Sequence, residues 1–158
     1  MMTERISYTN HELTVFASRI TTVDGNLVPS GALEWVQGTP FDFRSARRIG
    51  AHIRDNNEQL RFGLGYDHNF VLDAYAADTS SSVARILAAR LYDPSSGRIR
   101  EVSTTKPGIQ VYTGNELDQV TAGKGGAYVR HAGIALETQH FSRHPQPSVI
   151  SHHHRAAW

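Results

Sequence analysis

Apolar residues in this chain recur at every second position, in short runs that stop at turn residues, and this period of two most restricts its fold. LTVFASRI at 13–20, LEWVQG at 33–38 and LGYDHNFVL at 64–72 read as strands. So do the two halves of RIREVSTTKPGIQVYTG at 98–114 and the stretch YVRHAGIALETQHF at 128–141. Asp24-Gly25, Ser30-Gly31 and Lys106-Pro107-Gly108 punctuate them as turns. Strands in such a series predict an all-β fold, an antiparallel sandwich or barrel. Two stretches also carry helical spacing, RSARRIGAHIRD at 44–55 and SSVARILAARLYD at 81–93. The second runs into the strong turn Asp93-Pro94-Ser95-Ser96-Gly97, so it is read as one arm of a hairpin.

A chain of 158 residues fits one domain. Acids and bases are interspersed and the net charge is +1, which gives no case for nucleic acid or an anionic membrane as partner. There is no cysteine, which excludes disulfides, a thiol nucleophile and a thiolate metal site. No apolar run approaches the roughly 18–20 residues of a membrane span. MMTERISYTN has no apolar stretch after Arg5, so no signal peptide is expected and the protein is read as cytoplasmic. Residues 1–10 are expected to be an irregular N-terminus, 11–141 the folded domain, and 142–158 a disordered tail. That tail carries His152, His153 and His154, a poor metal site because neighbours in an extended chain point to opposite sides. No metal is expected.

Three strands carry polar groups on one side. In GYDHNFVL, Asp67 and Asn69 alternate with Tyr66, His68, Phe70 and Leu72. In GIQVYTGN, Gln110 and Tyr112 stand opposite Ile109 and Val111. In GIALETQHF, Glu137 and Gln139 stand opposite Ile134 and Leu136. One reading is a set of solvated faces on an antiparallel sheet. The other is a cleft in which carboxylates and amides meet vicinal hydroxyls, as in a carbohydrate site. Trp35, Tyr66 and Tyr112 are candidates for aromatic surface there, although core packing is the commoner role for any one of them.

The motifs TTVDGNLVPSG, GTPFDFR, GYDHNFVL, SGRIREVSTTKPGIQVYTGN and GKGGAYVRHAGIALETQHF occur in this order. Together, from His11 to Phe141, they resemble the C-terminal half of the aldose 1-epimerases, or galactose mutarotases. The resemblance implies an antiparallel β-sandwich of the galactose mutarotase-like type, with a hexose in an open cleft on one sheet and no cofactor. It implies interconversion of the α and β anomers of hexoses such as galactose and glucose. A base takes the proton of the anomeric hydroxyl while an acid protonates the ring oxygen; the ring opens and recloses on the other face. By the LETQ motif Glu137 is the base, and a partly buried setting is expected to raise its proton affinity. By the YDHNF and PGxQxYTGN motifs, Asp67 and Gln110 bind the sugar.

The resemblance is to the later part of the family pattern only, so the sandwich is expected to be truncated at both ends. The family's acid histidine belongs to an earlier NHSYFNL-like segment. His11 fits a later HEL sequence instead. His68 and His140 alternate away from Asp67 and Glu137 and are read as structural; His131 precedes its strand. Two consequences are expected: self-association through open strand edges and impaired turnover for lack of the acid. The alternatives are a non-catalytic sugar-binding remnant, or a half-protein that needs a complementary chain. A phosphosugar-acting relative would want Arg44, Arg47 and Arg48 near the cleft, whereas the GTPFDFR and LETQHF wording favours neutral sugars.

Overall fold

The structure, a computed structural model, describes residues 8–77, 84–117, 122–123 and 126–141. Of the irregular N-terminus expected over residues 1–10, residues 1–7 lie outside the described residues, and Tyr8–Asn10 form a single 3-10 turn. The tail with its three histidines also lies outside the described residues. In chain order the strands are β1 Glu12–Val15, β2 Ala17–Val23, β3 Pro29–Trp35, β4 Arg47–Arg48, β5 Asp67–Leu72 and β6 Ile86–Asp93. They continue as β7 Arg98–Thr104, β8 Gly108–Tyr112, β9 Ala122–Gly123, β10 Gly126–Ala127 and β11 Ala135–Gln139. Two short helices, α1 Glu58–Gly63 and α2 Asp73–Ala77, flank β5. Strands β4-β1-β6-β7 form one sheet and β11-β8-β5-β2-β3 another, with every recorded pairing antiparallel. Strands β9 and β10 pair separately. The expected antiparallel β-sandwich is the fold observed.

The core lies between the sheets. Leu13, Val15, Ala88, Ala89 and Leu91 from the four-stranded sheet share one buried cluster with Ala17, Ile20, Phe70, Leu72, Ile109 and Val111 from the five-stranded sheet. The loop after β3 adds Val36, Phe41 and Phe43 to it. Phe41 meets Tyr66 edge-on at 5.5 Å between ring centroids, and Phe43 meets Tyr66 at 5.1 Å. Such edge-to-face contacts suit the ring quadrupoles. GTPFDF therefore contributes two aromatic rings to the core.

The arm read as half of a hairpin is β6, paired with β7 from Ile86↔Thr104 to Asp93↔Arg98. Its turn is built on the Asp93 carboxylate, which accepts from the Ser95 N–H at 2.9 Å and from the Ser95 and Ser96 hydroxyls at 2.7 and 2.5 Å. Gly97 closes the turn at φ +71, a conformation that costs little only without a side chain. These hydrogen bonds hold Asp93 well below the usual carboxylate range.

The other stretch with helical spacing, 44–55, is not a helix. It forms β4 and then a single 3-10 turn over Ile49–Ala51. Ile49 and Ile53 are both buried, so the spacing that suggested a helix serves a turn that docks on the core. The segment is committed elsewhere: Arg47 lies 4.8 Å over the Phe43 ring, and the Ile49 N–H donates to His11 O at 3.0 Å. A helix does form just after it. Asn57 caps α1 by accepting from Gln59 N and Leu60 N at 2.9 and 3.2 Å, and Leu64 ends it in the left-handed region at φ +54.

Phe70 is fully buried and faces both Phe41 and Phe43 across the core. Phe70→Ala should cost about 3–5 kcal/mol of stability. A denaturant midpoint unchanged from wild type would contradict this account of the core.

Candidate functional site

The five-stranded sheet buries one face in the core and turns the other to a cleft of about 440 Å³. Alternation decides which residues line it. Phe70, Ile109 and Val111 point into the core, so Asp67, Asn69, Gln110 and Tyr112 must point out. Strand β11 continues the pattern with Glu137 and Gln139. The register aligns these groups in rows: Gln110 stands directly between Asn69 and Glu137, and Tyr112 between Asp67 and Ala135. The polar faces read from three separate strands thus converge on one cleft.

The row is bonded internally. Gln139 Nε2 donates to Gln110 Oε1 at 3.4 Å, and Gln110 Nε2 donates to Asp67 Oδ1 at 2.6 Å. A carboxylate accepts through both oxygens, so Asp67 keeps one oxygen for a ligand. Glu137 differs from expectation. It is exposed, because β11 is the edge strand of its sheet and nothing among the described residues covers its outer side. The partly buried setting expected for it is not present.

Asn69 forms the floor. Its side chain is buried, and neither amide atom has a hydrogen-bond partner among the described residues. The amide lies against Gly108 so closely that a methyl group there would overlap it. A side chain at position 108 would force the Asn69 amide to move.

Beneath Asp67 lies a buried histidine. The Asp67 N–H donates to His68 Nδ1 at 3.2 Å, which places the ring proton on Nε2, 3.2 Å from Gln59 Oε1. Gln59 in turn bonds both backbone groups of Val23, accepting from N at 2.9 Å and donating to O at 3.0 Å. Val23, Leu27 and Pro29 form the opposite wall of the cleft. One buried polar chain therefore connects that wall to Asp67. Phe41 packs edge-on against the imidazole at 4.7 Å, and burial pushes His68 down to about 4.

The remaining residues singled out from sequence lie elsewhere. Tyr66 is core; its hydroxyl donates to Pro40 O at 3.0 Å, and burial raises its pKa. Trp35 is 65% exposed on the edge strand β3, with the Arg19 guanidinium 5.5 Å from its ring centroid. His131, at φ +61, lies 3.0 Å from Thr113 O through Nδ1. His140 lies 3.2 Å from Lys106 Nζ. His11 packs against Tyr8, with tilted rings whose centroids are 4.9 Å apart. Arg44 is paired with Asp42, which it holds down to about 2. Among the described residues no His, Lys or Arg lines the cleft, and no group of acidic or His side chains is arranged to hold a metal ion. Among the described residues no helix is long and apolar enough to cross a membrane. The wall at Val23–Pro29 and Glu116, also at the cleft, were not read from the sequence. The Asp24-Gly25 turn was the available signal for the first.

A family model described as Aldose 1-epimerase matches residues 3–152. The chain is 42% identical over 134 residues to a galactose mutarotase of Homo sapiens, covering 84% of this chain and 35% of that protein. It is 32% identical over 136 residues to an aldose 1-epimerase of Escherichia coli K12, covering 86% of this chain and 37% of that one. It thus spans about a third of the length of the curated relatives it matches. Among solved structures, a galactose 1-epimerase from Lactobacillus acidophilus superposes with TM-score 0.65 at 25% identity, over 81% of this chain and 34% of that chain. An aldose epimerase homologue from C. elegans shares the fold with TM-score 0.62.

The buried imidazole makes stability depend on pH. The value for His68 falls from an ordinary 6.5 to about 4 on folding. Its neutral form therefore contributes fully above pH 6.5, and that contribution is lost as pH falls from 6.5 through 4. The difference amounts to about 3 kcal/mol. Urea titrations across this range should show the decline, and His68→Gln should flatten it. An equal slope in the variant would assign the decline to other groups.

Proposed function

The chain belongs to the aldose 1-epimerase family, and we propose that its cleft binds a free hexose such as galactose or glucose and interconverts the two anomers. The observation that carries this reading is the convergence of Glu137, Gln110 and Asp67 on one cleft from adjacent strands. Asp67 accepts hydrogen bonds from sugar hydroxyls, and Gln110, bonded to Asp67, fixes the orientation of that carboxylate. Glu137, exposed at the rim, takes the proton of the anomeric hydroxyl and returns one after ring closure. Proton transfer to the ring oxygen needs a second group. No histidine lines the cleft among the described residues, so we expect this chain to bind hexose and to exchange anomers slowly. No cofactor enters this scheme, and a cytoplasmic setting accords with the cysteine-free sequence.

A second reading is favoured by the sheet edges. Strand β3 is an edge with Leu33 and Trp35 exposed, and β11, which carries Glu137, is the other. Edges of this kind take up further strands. On this reading the chain self-associates, or completes its site with a complementary chain.

The test is proton NMR of this chain with galactose at anomeric equilibrium, reading saturation transfer between the two anomeric protons. Protein-dependent exchange should be present and should fall by about 10²–10⁴ in Glu137→Gln, with sugar binding retained. Exchange that survives the substitution would remove Glu137 as the base. Binding without exchange, followed by exchange on adding a complementary half-chain, would select the second reading.

A further inference from the structure

Tyr112 faces Asp67 directly across the β5–β8 pair and lines the same cleft. Its phenol oxygen accepts the backbone N–H of Glu116 at 3.1 Å. An oxygen that accepts there still has its own proton to give. Among the described residues nothing takes that proton. Asp67 is the reverse case: Oδ1 is occupied by Gln110 Nε2 at 2.6 Å, while Oδ2 has no partner among the described residues. Directly opposed side chains on antiparallel strands stand with their Cβ atoms about 4.5–5.5 Å apart. An open donor and an open acceptor therefore rise into the same cleft from facing positions.

Contrast with Gln110 sharpens the point. Its amide oxygen already accepts from Gln139, and its amide nitrogen already donates to Asp67. Gln110 spends much of its capacity inside the protein, whereas the Tyr112 proton is uncommitted. A sugar hydroxyl both donates and accepts. The Asp67–Tyr112 pair is the complement of one such hydroxyl, or of two neighbours on a pyranose ring. The Glu116 N–H occupies one position on the phenol oxygen and so limits where the hydroxyl proton can turn.

We infer that Tyr112 is a further hydroxyl-recognising residue of this cleft, donating its O–H to the hexose hydroxyl that donates to Asp67 Oδ2. This rests on the hexose reading above. The residue then helps to decide which hexose is held, because an epimer at that carbon moves the hydroxyl away from both groups at once.

The experiment is a binding titration of the chain with galactose and each monodeoxygalactose, for wild type and Tyr112→Phe, followed by amide chemical shifts. Tyr112→Phe should weaken galactose by about 3- to 10-fold, the worth of one hydrogen bond. For the one deoxy sugar that lacks the shared hydroxyl, wild type and variant should bind alike. Intermolecular NOEs from the Tyr112 ring protons to bound galactose should appear in wild type, a readout independent of whether the variant folds. If wild type binds galactose but these NOEs are absent, the inference fails and the hexose reading stands. Equal galactose affinity in Tyr112→Phe, or the same loss for every deoxy sugar, overturns the inference equally. If wild type binds none of the sugars, both fall together.

Discussion

Everything in this cleft depends on the register of β8 between β5 and β11. A slip of one residue would turn Gln110 and Tyr112 into the core and bring Ile109 and Val111 out. Two features hold the register. On the core side, Ile109 and Val111 are fully buried in the same cluster as Phe70. On the cleft side, the Asn69 amide approaches Gly108 so closely that a side chain there would displace it. The turn before β8 adds a backbone bond, from Leu72 N–H to Pro107 O at 3.0 Å. Apolar burial selects the face, and the close approach of Asn69 to Gly108 suits this alignment.

The chemistry that this register assembles is acidic and amidic. Carboxylates of Asp67, Glu116 and Glu137 share the cleft with the amides of Gln110 and Gln139. Such a surface suits a neutral polyhydroxyl ligand and disfavours an anionic one. Arg44 and Arg47, which would have argued for phosphate, are committed to Asp42 and to the Phe43 ring with Pro40. Beneath it, Gln59 and His68 bond the backbone at Val23 and at Asp67, so the two walls of the cleft share one support.

Much of this was legible in the sequence, and for a definite reason. A period of two is a one-dimensional property that survives folding, so Asp67, Gln110 and Glu137 were placed on polar faces before any sheet was known. The β6–β7 hairpin was legible because Asp93 and Gly97 fix their turn locally. The exposure of Glu137 was not legible, because whether a strand is central or at an edge depends on which strands pair, not on its own residues. The wall at Val23–Pro29 was hidden likewise, since it reaches the cleft through the pairing of β2 with β5 and the Gln59 bond to Val23, both between residues far apart in sequence. At 44–55 the spacing of Ile49 and Ile53 was real but served burial in a turn.

The edge position of Trp35 also gives the molecule an internal gauge. The sequence holds two tryptophans, and Trp35 is the one among the described residues. Its indole is mostly in water beside the Arg19 guanidinium, on β3, two strands from β5 and at the opposite end of the sheet from Glu137. Its fluorescence emission therefore reports on the rim of the sandwich. A chain that docks on β3 would strip water from the indole and move its emission to shorter wavelength. A small sugar held between Asp67 and Glu137 would leave it unchanged.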